Sequence, residues 1–401
     1  MTGNAYDLWT PAHRANPRPL YARLRQEAPV VRLVEPVRQA PFWLVSRYED
    51  VVALLRDGRL AKDSRKLSPQ RRSRFFRLSQ DALTRHMLNA DPPDHTRLRT
   101  LVSQAFTPRR IEALRPRITA LASGLLEAAL AQGSVDFIDA FAFPLPVIVI
   151  AEMLGVPVED RDPFRAWTHT LLVPQASGGL ERIKEAGENF VQYFTSLLER
   201  RRAEPGDDLV SALLAAEEQG DRLRANELTG MLFLLLVAGH ETTVNLLGTG
   251  LLALLQHPEQ LERLRADPGL MDTAVEEMLR YCSPVETSTT RFTVEPLELR
   301  GQMIPAEEMV VLGLLSANHD PEVFAEPERF DVGRTPNKHV GFGFGIHYCL
   351  GAPLARLEAA VAFGLLLERA PRMELAVAPE HLEWRKSAFI RGLEKLPVSL
   401  G

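Results

Sequence analysis

One cysteine of this chain sits in an unusual setting, Gly341-Phe-Gly-Phe-Gly-Ile-His-Tyr-Cys349-Leu-Gly351-Ala-Pro353. Gly341, Gly343 and Gly345 alternate there. Regular helix or strand would waste that much backbone freedom, so the glycines point to a chain that curls closely around something. Pro353 suits the first turn of a following helix. Cys349 therefore stands just ahead of a helix N-terminus, where free N–H groups and the helix dipole favour a thiolate. With no second cysteine nearby, that thiolate suits a single metal ligand. The ordinary fate of a free thiol is burial as a small apolar group, and that reading fits the other cysteine, Cys282.

A second constellation is Ala238-Gly239-His240-Glu241-Thr242-Thr243, inside the apolar stretch Leu228 to Leu255. An acid and two alcohols are costly in such a run unless they satisfy one another or serve a polar event. A glycine followed by hydroxyl side chains can also open the helical hydrogen-bond ladder. The stretch is long enough to span a bilayer, for which about 20 residues suffice. Charge at its centre is expensive in lipid, so it reads as a helix buried in a protein core. Elsewhere, Glu277 and Arg280 stand i, i+3 and share a helix face. In Asp94-His95-Thr-Arg97-Leu-Arg99, His95 and Arg99 stand i, i+4 on one face, while Arg97 reads as a solvated cation.

The cysteine segment resembles the haem-binding loop of the cytochrome P-450 family, Phe-x-x-Gly-x-[His/Arg]-x-Cys-x-Gly. It begins at Phe342 and matches at every fixed position through Gly351. The resemblance implies haem b as cofactor, with Cys349 the iron ligand and Phe342, Gly343, Gly351 and Ala238 against the ring. A thiolate ligand pushes electron density onto iron and favours O–O cleavage. By the same resemblance Glu241 relays protons and Thr242 hydrogen-bonds the oxygen being activated, a general-acid role. Glu277 and Arg280 match the family's E-x-x-R motif. Pro327-Glu-Arg329-Phe330 matches the segment expected to give a third partner, Arg329, to a buried ion network. His95, Arg99, Arg291 and His347 are assigned to the haem propionates, since cations suit carboxylates.

The elements that must position these residues are mostly helical. Periodicity predicts helices over Tyr21–Glu27, Tyr48–Arg56, Asp94–Ala105, Ile111–Ala131, Leu180–Arg202, Glu227–Leu255, Pro258–Ala266, Leu270–Tyr281 and Pro353–Ala370. Short strands are expected at Phe42–Val45, Arg291–Thr293 and Met309–Leu314. No repeat, linker or composition break divides the 401 residues. The expected fold is mainly α with minor β, one P-450 domain over 1–401. Ser64 to Gln80, rich in cations and free of acids, reads as a solvated loop, with a mobile flap as the alternative.

Composition narrows the function. The formal charge is −5, which argues against a nucleic-acid binder. Two cysteines exclude a disulfide scaffold and any four-cysteine metal site. They fit a reducing compartment, and the N-terminus lacks a signal-peptide pattern. A cytoplasmic monomer that engages no membrane is expected.

The resemblance implies a monooxygenase that hydroxylates or epoxidises an apolar small molecule with O2. The candidates are a macrolide or other secondary metabolite, a steroid, a terpene or a fatty acid. Electrons would come from NAD(P)H through a ferredoxin and its reductase, because the chain has no dinucleotide fingerprint. A basic patch including Arg109, Arg110 and Arg356 is expected to dock the ferredoxin. Leu234, Val237, Ala238, Val285, Thr287 and Phe389 are expected to face the substrate, and the loop Leu171–Leu180 to serve as a lid. Two other classes compete: a peroxide-driven haem-thiolate enzyme, which does not need the Glu241–Thr242 pair, and a non-catalytic haem sensor, for which no output module is present.

Overall fold

The computed structural model describes residues 6–36, 39–75, 81–157, 160, 162–172, 179–218 and 225–401. Its organising element is a 32-residue helix, Ala225–Gln256. Apolar residues surround this helix on every side, and a helix of that kind must be buried. It packs against Pro144–Leu154, Met271–Cys282, Ala352–Arg369 and Leu180–Ala203. Small residues let these neighbours approach: a Cβ on Gly248 would lie 2.5 Å from Ile138, and one on Gly250 would lie 2.9 Å from Phe363. Among the described residues it is the one helix long and apolar enough to cross a membrane, and 78% of its apolar window is buried inside the protein. The helix runs unbroken through Gly239. The expected opening of the ladder is therefore absent, and the Thr242 hydroxyl instead bonds the Ala238 carbonyl at 3.0 Å.

All nine predicted helices form, with ends shifted by a few residues; Tyr48–Arg56 and Pro258–Ala266 keep their limits. Ile111–Ala131 divides into Pro108–Glu112 and Arg115–Gln132, because Pro116 starts a new first turn. Periodicity missed Pro144–Leu154, which is apolar all round and shows no polar face to read. It also missed Asp162–Leu172 and Leu209–Glu218.

A five-stranded sheet runs Val30–Glu35, Ala40–Val45, Met309–Leu312, Arg291–Thr293, Leu60–Ala61. The first two strands pair antiparallel, Val30 opposite Val45, and the second pairs parallel to the third, Trp43 opposite Val310. The third strand stops at Leu312, and Leu314–Asn318 is helical rather than extended. Three-stranded and two-stranded sheets complete the β portion.

Two sequence expectations need correction. The cationic segment after Asp63 is not a loop: Ser64–Lys66 and Pro69–Phe75 are helical, and Arg65 and Arg71 are paired with Asp63, Asp94 and Glu308. Residues 76–80 lie outside the described residues. Arg97 is not solvated either, since it pairs with Glu227 and Asp94.

The ion network forms with a different third member. Glu277 and Arg280 are fully buried, and Arg280 holds the carboxylate with two bonds of 2.8 Å. The third cation is Arg334, whose Nε lies 3.1 Å from both carboxylate oxygens. Arg329 contributes only its backbone carbonyl, 3.1 Å from Arg280, while its side chain is 55% exposed and meets Glu326. The reason is local: buried Phe330 takes the inward position, which turns its neighbour outward. Arg280 also reaches the carbonyl of Asn318, whose side chain accepts from the Val340 N–H. The network thus fixes the chain as it enters the cysteine segment.

Candidate functional site

The cysteine segment is a tight coil. Gly343 and Gly345 adopt φ of 72° and 75°, in the left-handed region that favours glycine. A Cβ on Gly345 would also lie 3.0 Å from the Leu55 carbonyl. Gly343 N–H donates to the Val340 carbonyl at 2.8 Å, and Cys349 N–H to the Phe342 carbonyl at 2.9 Å. The following helix starts at Ala352 with Pro353 in its first turn, as the sequence requires. Burial pushes the Cys349 thiol up, while the Gly351 and Ala352 N–H groups and the charges of Arg99 and Arg356 pull it back. A cation in contact with sulfur would complete that stabilisation of the thiolate.

Cys349 opens into a cavity containing about 1510 Å³ of non-atom space, its mouth included. His95, Arg99, Arg291, Phe342, Gly343, His347 and Gly351 share its wall, so the predicted loop and cation sites converge. His95 is 3% exposed, and neither ring nitrogen has a hydrogen-bond partner. Its ring lies 4.4 Å from that of His347. Burial, with Lys62, His95 and Arg291 nearby, pushes His347 down to about 3. Burial lowers Arg291 to about 10. Orphaned donors and crowded cations in one corner describe a site built for anions.

The opposite wall comes from the core helix. Leu234, Ala238, Thr242 and Leu246 line it at helical spacing, with Leu235, Gly239 and Thr243 beside them. Val285 and Phe389 line it as expected. Val237 does not, because it lies off that helical stripe and packs in the core. Thr287 does not either: its hydroxyl donates to the Ala388 carbonyl at 2.9 Å, and Ser288 and Thr289 take its place on the wall. Glu241 is also absent from the wall. It turns to the far side of the helix, where it pairs with Arg385 and lies 3.8 Å from His240. Thr242 and Thr243, with their neighbours one turn earlier, span the cavity face, and Glu241 lies about 100° beyond that span, which turns it away from the cavity.

Sequence reasoning missed Glu358, which lines the cavity with its carboxylate buried and Thr243 as its polar neighbour. Burial raises it to about 8. Its position five residues beyond Pro353, within the predicted helix Pro353–Ala370, carried no local signal. Cys282 is buried as expected, its thiol bonded to the Thr249 carbonyl and pushed up to about 11 by burial. Leu171–Leu180 lies mostly outside the described residues.

The family described as Cytochrome P450 matches residues 164–268 and 269–374. The polyketide biosynthesis cytochrome P450 PksS of Bacillus subtilis (strain 168) is 48% identical over 389 residues, covering 96% of each chain. The chain belongs to the cytochrome P450 family. The vitamin D(3) 25-hydroxylase of Pseudonocardia autotrophica is 48% identical over 398 residues, 99% of this chain and 96% of that one. The structure of the myxobacterial cytochrome P450 CYP267B1 in complex with myristic acid superposes with a TM-score of 0.95 at 51% identity, covering 98% of both chains.

This P450 is thus a monooxygenase whose cofactor is haem with a cysteine thiolate ligand. The residues fit that group. One thiol faces the cavity from a glycine cradle, an apolar helix forms the other wall, and unpartnered His95 with Arg99 and Arg291 supplies the donors and charge that two carboxylates require. Such enzymes act on small molecules with O2 and redox partners.

Proposed function

We propose that this P450 inserts one atom of O2 into an apolar small molecule, by hydroxylation or epoxidation. The observation that carries this reading is the cavity itself. The cysteine lies at one wall, and Leu234, Leu235, Val285 and Phe389 supply an apolar surface elsewhere. The relatives support the class: one is named for polyketide biosynthesis, one for vitamin D(3) hydroxylation, and one holds myristic acid. Vitamin D(3) and myristic acid are both largely apolar molecules. A macrolide-like metabolite is the preferred candidate; steroids, terpenes and fatty acids complete the class.

Cys349 holds the haem iron, and His95, Arg99, Arg291 and His347 hold its propionates. When bound, the haem supplies the iron at which O2 is activated. The Thr242 hydroxyl donates to the Ala238 carbonyl and would present its proton at the cavity wall on turning from that bond. Glu241, held by Arg385 away from the cavity wall, would relay a proton once released from that arginine. NAD(P)H supplies electrons through a ferredoxin and its reductase, and the enzyme works as a cytoplasmic monomer. The test is the absorption spectrum of the purified protein, alone and with macrolides, steroids, terpenes and fatty acids. A shift of the thiolate-haem spectrum toward high spin with one class is expected and names the substrate. If no member of the panel produces that shift, the proposed substrate class is wrong.

A further inference from the structure

Lys62 follows the edge strand Leu60–Ala61 and is 3% exposed. Its ammonium donates to the Thr289 hydroxyl and, at 2.9 Å, to the Thr290 carbonyl. Both partners are neutral oxygens. A buried cation held only by neutral groups is expensive.

The acid whose charge reaches it is Asp91. That carboxylate is already engaged by the Lys66 ammonium at 2.8 Å and by the N–H groups of Lys62 and Asp63. The same Asp91 is the acid felt by Arg291, His95 and His347. Arg291 stands near enough to Lys62 to repel it, and together with burial it holds the amine well below its ordinary range. Among the described residues, therefore, this corner carries more buried positive charge than one shared carboxylate can balance. Thr289 and Arg291 line the haem cavity and Lys62 does not, so the lysine stands directly behind that wall.

We infer that Lys62 is a rear cation of the haem carboxylate site: it positions Thr289 and Arg291 on the wall, and its charge is balanced when the haem propionates lie beside Arg291. The inference rests on the assignment of Arg291 to those propionates. Lys62 is a positioning residue, one shell removed from the ring.

The test uses purified substrate-free holoenzyme and two readouts, haem transfer to excess apomyoglobin and the ferric–ferrous midpoint potential. Lys62→Met is expected to release haem about tenfold faster, the order of effect of one unit charge acting across about 12 Å at an effective dielectric constant of about 20. It is also expected to move the potential negative, because removing a cation favours the oxidised iron. Lys62→Arg restores both. If the Met variant does not fold with haem, Lys62→Gln, which keeps a donor but no charge, must show the same potential shift. Unchanged release, an unmoved potential or no rescue by arginine overturns the inference. So does an effect confined to the affinity for myristate, which would make Lys62 the partner of a substrate carboxylate. Arg291→Met separates the two readings. If it too leaves release and potential unchanged, the propionate assignment falls; if it changes them and Lys62→Met does not, only the role of Lys62 falls.

Discussion

Glu277 accepts from Arg280, Arg334, Asn337 and the Asp331 N–H, and it is fully buried. Removing one partner of such a set strands charge in a dry interior. Arg334→Ala is therefore expected to cost about 3–5 kcal/mol. Arg329→Ala, whose side chain meets only Glu326 at the surface, should stay within about 0.5 kcal/mol. Chemical denaturation of both variants checks this, and equal losses would restore Arg329 as a network member. At the cavity wall, Thr242→Ala removes the hydroxyl proposed to act in the proton relay. Product per NAD(P)H consumed should fall at least about tenfold, with peroxide appearing in its place. Unchanged coupling in that variant would remove Thr242 from the proton relay.

The core helix carries its own pH signature. His240 is fully buried, its Nδ1–H donates to the Leu236 carbonyl at 2.7 Å, and its Nε2 has no partner. Burial, the backbone bond and nearby Arg385 leave it at about 4, below the ordinary value of 6.5. The ring is thus neutral in the folded helix but protonates in the unfolded chain below about pH 6.5. Unfolding takes up a proton between about pH 6.5 and 4, so this contribution is full above that window and is lost as pH falls through it. By about pH 5 the loss is about 2 kcal/mol. His240→Gln should show a correspondingly shallower fall in stability from pH 7 to 5, measured by denaturant midpoints. Parallel curves for the two proteins would mean that His240 is not neutral in the fold.

At the scale of the molecule, the three arginines proposed to dock a ferredoxin are held differently. Arg356 is held by Glu276 at 2.6 and 2.9 Å and stacks over Phe342, so it braces the cysteine loop while its side chain stays 36% exposed. Arg109 and Arg110 remain exposed on the short helix Pro108–Glu112, which packs against the helix following Cys349. Reversing both to Glu should raise the ferredoxin KM severalfold at low salt and little at high salt, since exposed charges are screened within about 8–10 Å. An unchanged low-salt KM would place the partner elsewhere.

What could be read from the chain alone was what contiguous residues decide. The loop from Phe342 to Gly351 needs its glycines, its cysteine and its helix start within ten positions, so composition and spacing reveal it together. The long helix was legible because an unbroken apolar run has few other fates. The facing of side chains was not legible. Glu241 points to Arg385 and Thr242 to the cavity because the helix is rotated by its packing on Pro144–Leu154 and Ala352–Arg369, elements remote in sequence. Arg334 replaced Arg329 because buried Phe330 claimed the inward position. Lys62 meets Thr289 across 227 residues only after the sheet brings their strands together. Local chemistry marks the groups that can react, but long-range burial decides which of them share one cavity.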